Sequence, residues 1–459
     1  MTVDDQHATT GRADLLVLGG GMAGLSAAAR AAGHGLRVTL VERGPDLGGS
    51  ARYAGYLWTA ATPEVMAEVN PGGSPELRDT VVAGFPGALD FVRDLGVPVG
   101  EPVTVLRYGT GHQVDTGAFV AACRRRIAAS GEIVTGARTE HLLTDDAGRV
   151  TGAGIVTPDG TRRTVRATTT LLATGGFPAD ADLRAEHVHP QARDIAARSN
   201  PWSRGDGLRL ALAAGARVTN SGGGFYGHLV PTGVELTPEL YVEAALYYSE
   251  HAWLFNLAGE RFVDESVGDH LTTIALVDQP ECRGLLVTDA RGYREVVCAP
   301  YVEGGPANDK FELARRRGAR CVVADSAADF AHVPPEWGYD GPRIAAEIAR
   351  LAAGGEPGPA RSILPRPLDE PPYYVIETTA AITFPFAGIE VDGRGRVRSA
   401  DGGVVDGLHA AGADAGGLYR NAYAGGLVPA VVLGLAAADA ARDRAAGTAD
   451  LVPGPAGTP

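Results

Sequence analysis

The sequence feature that most constrains the fold is a glycine-rich run near the N-terminus, Gly19-Gly20-Gly21-Met22-Ala23-Gly24. It directly follows residues 14–18, a short apolar run typical of a strand buried on both faces. An alanine-rich stretch from Leu25 to Ala32 comes next and predicts a helix, and the apolar run from Leu36 to Val41 predicts a second strand. Together they predict a β-α-β unit of about 30 residues.

The spacing of these glycines has a chemical reason. In G-x-G-x-x-G the first glycine allows a tight turn, the second lets the backbone approach a pyrophosphate, and the third lets the helix pack closely on the strand. The pyrophosphate then binds at the positive N-terminal end of the helix. An acid at the end of the second strand accepts hydrogen bonds from the ribose hydroxyls. The predicted dinucleotide-binding residues are Gly19, Gly21, Met22, Ala23, Gly24 and Glu42.

An ordinary glycine-rich turn is the alternative, but strand, helix, second strand and acid all occur in the right order. Only one such fingerprint is present, so we expect one dinucleotide, held as a permanent cofactor.

The overall composition excludes several classes of function. The 459 residues carry a net charge of −14, which argues against a nucleic-acid partner because phosphate binding needs a basic face. The four cysteines form no C-x-x-C pair and no metal-ligand spacing, so we expect a cytoplasmic protein without a metal site. We also expect no signal peptide and no integral membrane segment. Lys310 is the only lysine, a bias that we attribute to genomic composition.

The middle of the chain differs in character from its two ends. Helical spacing at 76–96 and 116–130 predicts two helices, and alternating segments with turn signals over 133–165 predict an antiparallel meander. Aromatic residues and prolines cluster over about 221–365, where the β-α alternation is lost. The predicted organisation is a nucleotide-binding domain at 1–220 and 369–445, a substrate domain at 221–368 and a disordered tail at 446–459.

Further motifs carry a resemblance to a known family. They are Gly48-Gly49-Ser50, Leu172–Phe177, Gly205-Asp206-Gly207, Asn256–Glu265, Leu408–Asp414 and Gly425-Gly426. With them the chain resembles, from Asp14 to about Arg442, the flavoprotein subunits of the fumarate reductase and succinate dehydrogenase superfamily. Pro371–Tyr374, Ile382–Phe384, Gly227–Val230 and Asn421–Gly426 are most similar to its tricarballylate dehydrogenase-like branch. The 3-ketosteroid dehydrogenases place a catalytic tyrosine similarly to Tyr423.

The resemblance implies an α/β fold, a Rossmann-like FAD-binding domain with an inserted α+β capping domain for the substrate. It implies an FAD-dependent dehydrogenase or reductase that moves a hydride between flavin and a carbon–carbon bond adjacent to a carbonyl or carboxylate. Noncovalent FAD is expected, because the histidine that ties FAD in succinate dehydrogenases has no counterpart at 50–53. An external electron acceptor is expected too. The further FAD-binding residues implied are Arg43, Gly49, Ser50, Ala173, Thr174, Gly175, Asp206, Asp414, Gly426, Leu427 and Val428.

The chain departs from the family where the family binds dicarboxylates. The proton-donating arginine of fumarate reductases is missing from Ser266–His270. Their substrate-clamping arginine falls at Tyr423, and their C-terminal substrate histidine falls near Phe384. Because paired guanidinium groups are what grips a dicarboxylate, we expect a small-molecule substrate other than fumarate.

The candidate catalytic residues are tyrosines and histidines, which can carry a proton or bind a carbonyl oxygen. They are Tyr423, His228, Tyr248, His251 and His270, with Tyr247 and Asp269 beside them and Arg420, Arg52 and Tyr56 as weaker candidates. The alternatives are a packed aromatic residue for Tyr423, a structural histidine for His228 and a surface residue for His270. Two other functions stay open, a flavin-dependent oxidase or oxygenase and an inactive flavin-binding partner protein.

Overall fold

The computed structural model describes residues 9–300, 307–355, 358–363 and 367–447. The predicted tail at 446–459 therefore lies almost entirely outside the described residues.

The chain alternates strands and helices over most of its length. The strands are β1 Thr9–Leu18, β2 Val38–Val41, β3 Tyr56–Ala60, β4 Val99–Val105, β5 Gly109–Val114, β6 Glu132–Val134, β7 Arg138–Thr144, β8 Val150–Val156, β9 Arg162–Leu172, β10 Ala196–Ala197, β11 Phe225–Pro231, β12 Trp253–Phe255, β13 Arg283–Asp289, β14 Cys321–Ala324, β15 Tyr373–Pro385, β16 Ile389–Glu390, β17 Arg396–Arg398, β18 Val404–Ala410 and β19 Ala415–Gly416. The helices are α1 Met22–Gly33, α2 Pro63–Val69, α3 Pro75–Asp94, α4 Thr116–Ala128, α5 Ala181–His187, α6 Asp206–Ala213, α7 Asp269–Val277, α8 Ala290–Gly292, α9 Lys310–Arg316, α10 Gly341–Ala352 and α11 Leu427–Ala445.

The chain divides into two compact units. The first unit contains the residues up to Leu183, then Asn200–Gly224 and everything from Phe384 onward. The second unit contains Arg184–Ser199 and Phe225–Thr383. These boundaries differ from those expected in two places. The second unit extends past residue 368 because β15 pairs with β13 and β14, and it gains 184–199 because β10 also pairs with β15.

Within the part of the chain that the structure describes, the first unit is built on an eight-stranded sheet. Its centre is the parallel order β18-β9-β1-β2-β6, and β17 adds to one edge in the antiparallel direction. The predicted β-α-β unit is β1, α1 and β2, with Leu15 paired to Val38. Leu15, Leu16 and Val17 are completely buried, as expected for a strand covered on both faces. The meander predicted over 133–165 is β7, β8 and the start of β9, paired antiparallel.

Two helices of the first unit approach each other through small residues. Helix α11 passes α1 so closely that an added Cβ at Gly434 would lie 2.5 Å from the carbonyl oxygen of Ala23. Such an approach needs small side chains on both helices, which the alanine-rich sequences of α1 and α11 supply. The C-terminal helix is therefore part of the first unit's core.

The second unit has a six-stranded sheet around the long strand β15. In the described residues β10, β11, β13 and β14 all pair with β15, and β12 pairs with β13. A hydrophobic cluster that includes Phe255, Val287, Ile344 and Val375 joins the sheet to α10. This mixed sheet with helices packed on it is the α+β architecture expected for the inserted domain.

A buried ion pair also stabilises the second unit. The guanidinium of Arg261 donates to both carboxylate oxygens of Glu265, at 3.0 and 2.6 Å, and both side chains are at most 1% exposed. Glu265 also accepts from the backbone N–H of Leu254, and the guanidinium lies 4.0 Å from the ring of Trp253. Removing one partner would leave the other charge buried without compensation.

We expect Glu265→Gln to lower the free energy of unfolding of the second unit by about 3–5 kcal/mol, because Arg261 would keep an uncompensated buried charge. Urea unfolding followed by circular dichroism measures the loss. Glu260→Gln is the matched control: Glu260 pairs with Arg343 at the surface, where both side chains are 46% exposed, and should change stability by less than about 0.5 kcal/mol. Equal effects of the two substitutions would contradict the argument.

Candidate active site

The glycine-rich loop between β1 and α1 is shaped by close backbone contacts. An added Cβ at Gly19 would lie 2.1 Å from the carbonyl oxygen of Ala173, and one at Gly24 would lie 1.9 Å from the carbonyl oxygen of Gly19. Gly21 is different, because a Cβ there meets no protein atom within 4 Å. The protein's own packing thus requires glycine at 19 and 24, whereas Gly21 faces open space. That is the position where a dinucleotide backbone would approach.

The N-terminus of α1 is open as well. Its N-cap is Gly21, and no side chain caps the helix there. By contrast, Thr62, Ser74 and Asp115 accept hydrogen bonds from the first turns of α2, α3 and α4. The first N–H groups of α1, from Met22 and Ala23 onward, are available for an anion such as a pyrophosphate.

Glu42 lies at the end of β2, as predicted, and is 5% exposed. Its carboxylate accepts from the backbone N–H groups of Gly20 at 2.7 Å and Gly44 at 2.6 Å. Burial raises its pKa, while these hydrogen bonds oppose the rise. Each carboxylate oxygen has a second lone pair, so the group can still accept from ribose hydroxyls.

A second loop of the first unit is held by Asp414. Its carboxylate accepts from the backbone N–H groups of Thr174 and Gly176 and from the hydroxyl of Thr174. The Thr174 hydroxyl oxygen accepts in turn from the backbone N–H of Gly207 at 3.0 Å. Burial raises the pKa of Asp414. In the structure Asp414 thus fixes this loop, a contact that the resemblance alone did not suggest.

Three more predicted cofactor residues contact one another or their neighbours in the first unit. Arg43 forms an ion pair with Asp206 at 2.7 Å. The hydroxyl of Ser50 accepts from the backbone N–H of Asn200 at 3.0 Å, which joins the loop after Gly49 to the segment before α6.

The last helix also starts with glycines. Gly425 has a φ of +93°, and a Cβ there would lie 1.9 Å from the carbonyl oxygen of Trp58. Gly426 is the N-cap of α11, again without a side-chain cap, so the N–H groups of Leu427 and Val428 point out of an open helix end.

Tyr423 lies in a cluster of aromatic rings in the first unit. Its ring centroid is 5.3 Å from Trp58, 5.7 Å from Tyr419 and 6.0 Å from Phe384. The side chain is 6% exposed. An added Cβ at Gly426 would lie 3.5 Å from the Tyr423 hydroxyl, so the hydroxyl is close to the start of α11. Trp58 was not among the predicted residues, because nothing in its local sequence distinguishes it from a core aromatic.

The second unit contains a buried polar cluster around His228. Its Nδ1 atom is hydrogen-bonded to the carboxylate of Asp269, which also accepts from the hydroxyl of Ser249 at 3.3 Å. The ring lies edge-on to Tyr247 at 4.9 Å, and Arg198 donates to the Tyr247 hydroxyl at 3.0 Å. Burial and the positive charge of Arg198 lower the pKa of His228, while Asp269 opposes the shift.

The other predicted catalytic residues lie in different surroundings. Tyr248 packs in a hydrophobic cluster with Leu229 and Leu254, which raises its pKa far above the ordinary value. His251 is partly exposed, with Nε2 3.5 Å from a carboxylate oxygen of Glu250. His270 is 6% exposed, so the alternative of a surface residue is wrong, and burial lowers its pKa to about 4. Neither Arg198 nor Lys310, which also borders the cluster, was predicted.

The described residues contain no group of three or more histidine, cysteine, aspartate or glutamate side chains that could hold a metal ion. Among the same residues, no helix combines the length and the hydropathy needed to cross a membrane.

The geometry of Gly21 gives a sharp test of the expected FAD site. Gly21 has a φ of −80°, which alanine adopts without strain, so Gly21→Ala should keep the native fold. The added methyl group occupies the space expected for the pyrophosphate, and FAD binding should weaken at least tenfold, or about 1.4 kcal/mol. The flavin content and the dissociation constant of the purified protein measure the effect.

Gly33→Ala, at the exposed end of the same helix, is the matched control and should bind FAD normally. Full FAD affinity in Gly21→Ala would contradict this placement of the pyrophosphate.

Comparison with known proteins agrees with this geometry. A family model described as the FAD binding domain matches residues 14–427. A fumarate reductase (cytochrome) of Shewanella frigidimarina is 26% identical over 452 residues, covering 90% of this chain and 74% of that protein. A vinyl phenol reductase of Lactiplantibacillus plantarum is 25% identical over 472 residues, covering 92% of this chain and 94% of that protein.

Solved structures show the same fold. A 3-ketosteroid-Δ4-(5α)-dehydrogenase from Rhodococcus jostii superposes with a TM-score of 0.75 at 19% identity, over 96% of this chain and 99% of that one. An open flavocytochrome c3 fumarate reductase superposes with a TM-score of 0.72 at 19% identity, over 96% and 79%. The family model and the curated relatives, together with the open glycine loop, identify the cofactor as FAD. The chain therefore belongs to the FAD binding domain family, in the fumarate reductase and succinate dehydrogenase flavoprotein superfamily of FAD-dependent reductases and dehydrogenases that act on carbon–carbon double bonds.

Proposed function

We propose that the substrate is an uncharged, largely apolar compound whose reacting carbon–carbon bond lies next to a carbonyl, and that Tyr423 binds the carbonyl oxygen. FAD, when bound, supplies the site that accepts or gives the hydride. The chain's own residues bind the substrate, orient it and move the proton. The external electron acceptor and the cytoplasmic location expected from the sequence belong to this proposal, and the four cysteines are free thiols in the structure.

The surroundings of Tyr423 carry the proposal. The resemblance places Tyr423 where the family has its substrate-clamping arginine, and rings surround it on several sides. Phe384, near the position of the family's substrate histidine, is one of them. Apolar rings bury an apolar substrate favourably but offer a carboxylate no charge to pair with. Arg420 is the nearest arginine along the chain, and its side chain is exposed.

Two hydrogen bonds hold the segment around Tyr423 in place. The hydroxyl of Tyr108 donates to the backbone carbonyl of Tyr423 at 2.6 Å, and the hydroxyl of Tyr419 donates to that of Gly425 at 2.7 Å. A fixed hydroxyl can stabilise the negative charge that develops on a carbonyl oxygen when the bond next to it gains or loses a hydride.

The relatives include a precedent for an uncharged substrate. The vinyl phenol reductase, which aligns over nearly its full length, is named for a compound without a carboxylate. The family fold is therefore compatible with an uncharged substrate, which supports that part of the proposed substrate class.

We assign the proton transfer to His228 with Asp269. An ionised carboxylate only accepts hydrogen bonds, so Nδ1 carries the proton that His228 shares with Asp269. Because the pKa of His228 is lowered, the ring is uncharged near pH 7, and Nε2 has a lone pair that can accept a proton. In the reverse direction the same atom returns it. Asp269 fixes the tautomer and the orientation of the ring.

Reoxidation of the reduced flavin tests the substrate class. The protein is reduced anaerobically with dithionite and mixed with an uncharged cyclic enone, with 4-vinylphenol or with fumarate, and the return of the oxidised flavin absorbance is followed. We expect the cyclic enone to react at least about 100-fold faster than fumarate, because fumarate finds no paired guanidinium groups, and faster than 4-vinylphenol, which has no carbonyl for Tyr423 to bind. Faster reaction with fumarate would refute the proposed substrate class.

Removal of one oxygen atom tests the role of Tyr423. We expect Tyr423→Phe to slow reoxidation by the best substrate about 100-fold or more, with unchanged flavin content, because the ring still packs but the donor to the carbonyl is lost. Tyr373→Phe is the matched control, since its hydroxyl donates only to the backbone carbonyl of Leu368 in the core of the second unit. A rate within twofold of the parent protein would show that Tyr423 is only a packed aromatic residue.

A further inference from the structure

The only lysine of the chain lies in an unusual place. Lysine and arginine together number 41, so 40 of these cations are arginine. Lys310 is 8% exposed, at the first residue of α9. A composition bias explains why lysine is rare, but it does not explain why the one lysine is buried, where an ammonium group costs free energy unless it is paired.

The ammonium group of Lys310 holds one short segment of backbone. Its Nζ atom donates to the carbonyl oxygens of Val242 at 3.1 Å and Glu243 at 2.7 Å. The same atom lies 5.2 Å from the ring centroid of Tyr247, within the range of a cation–π interaction. An ammonium with three donors on a flexible stem suits two adjacent carbonyls better than a planar guanidinium does.

Arg198 holds the same segment at two other points. Its guanidinium donates to the backbone carbonyl of Tyr241 and, at 3.0 Å, to the hydroxyl of Tyr247. Arg198 thus holds the two ends of the segment 241–247, and Lys310 holds residues 242 and 243 within it. Tyr247 presents its ring to His228 at 4.9 Å, so the position of the segment determines the surroundings of the imidazole.

The charges of the two cations also act on His228. Burial lowers the pKa of His228 most, the positive charge of Arg198 lowers it further, and Lys310 contributes in the same direction. Asp269 opposes all three. Protonation of His228 would place a third positive charge in this cluster.

We propose that Lys310 is a positioning residue that fixes the segment 241–247 against His228 and, with Arg198, keeps that imidazole uncharged. The functional consequence rests on the proposed role of His228 in proton transfer. The positioning itself does not, and can be measured without any substrate.

The charge on Lys310 is itself set by its surroundings. Burial lowers its pKa to about 8; Glu243 and Asp269 oppose this shift, and Arg198 adds to it. Tyr247 also faces the ammonium group. Asp309 precedes Lys310 at the N-terminus of α9, and Arg317 lines the same cleft as Lys310. Lys310 is therefore charged at neutral pH and loses its charge as the pH rises through about 8.

A chain with one lysine allows a direct measurement. Full-length holoprotein labelled with ¹³C only in lysine gives a single side-chain NMR signal, whose pH titration reports the pKa of Lys310. We expect about 8, against about 10.4 for an exposed lysine. Asp269→Asn should lower this pKa further, since it removes a negative charge that favours the ammonium form. A titration near 10.4, unchanged by Asp269→Asn, would overturn the proposal.

The effect on His228 is measured in holoprotein labelled with ¹³C in the histidine rings. His228→Asn identifies the His228 signal by its disappearance. We expect Lys310→Met to raise the pKa of His228, because one nearby positive charge is lost. Lys310→Arg keeps the charge but fits the two carbonyls less well, so it should bring the pKa of His228 back only part of the way to that of the parent protein. Arg316→Met, which removes an exposed cation from the same helix, is the matched control and should leave the pKa of His228 unchanged.

The outcomes separate the two proposals. An unchanged His228 pKa in Lys310→Met shows that Lys310 is only a structural residue and overturns this inference. Full turnover in His228→Asn, together with the expected shifts in both NMR titrations, would overturn the role of His228 in proton transfer and leave the positioning by Lys310 in place.

Discussion

The first unit depends on one buried carboxylate. Asp414 accepts three hydrogen bonds from Thr174 and Gly176, which lie about 240 residues earlier in the chain. The hydroxyl oxygen of Thr174 also accepts a hydrogen bond from the backbone N–H of Gly207, so the same loop is joined to the start of α6. A carboxylate in an apolar interior is costly unless donors surround it, so Asp414 and the loop at 174–176 stabilise each other. Because Asp414 comes from the C-terminal part of the chain, the unit cannot be completed without that part.

The loop that Asp414 holds is also the one against which the glycine-rich turn packs. Gly19 lies so close to the carbonyl oxygen of Ala173 that no side chain fits between them, and Gly24 lies equally close to Gly19. The start of α1 is therefore fixed before any ligand arrives. When the N–H groups of a site are already oriented, less free energy is lost in ordering the backbone as an anion binds. The buried carboxylate thus holds the loop against which the glycine motif packs, without touching the motif itself.

Local sequence patterns predicted the parts of the fold that depend on local order. The strand at 14–18, the glycine spacing and Glu42 lie within about 30 residues, and the structure has them as predicted. The boundary at residue 368 could not be found in this way, because the alternating pattern of β15 fits a sheet in either unit. The segment 184–199 follows the second unit through the two-residue strand β10, which is too short for any periodic signal.

In the candidate sites, too, local motifs predicted some residues but not the partners that contact them. Tyr423 and His228 were predicted from motifs, but their partners were not, because ring contacts and ion pairs join residues far apart in the chain. Trp58 meets Tyr423 across more than 360 residues, and Arg198 reaches Tyr247 from a segment that the sequence placed in another domain. For His270 the alternative to a proton carrier was a surface residue, yet α7 places it in the interior. Lys310 was explained by composition, which describes how often a residue occurs and not where it lies.

An uncharged substrate changes how binding and catalysis are divided among the residues. A dicarboxylate gains most of its binding free energy from ion pairs, which also orient it. An apolar compound instead gains its binding free energy from buried area, at about 25 cal/mol per Å². The burial of apolar area does not favour any particular orientation. Orientation must then come from a few fixed polar groups. The hydrogen bonds from Tyr108 and Tyr419 to the backbone at Tyr423 and Gly425 supply that rigidity in the first unit. At the position where the resemblance implies an arginine, Tyr423 would thus bring no charge but one hydroxyl on a firmly held backbone, which can bind a carbonyl oxygen more strongly as negative charge develops on it.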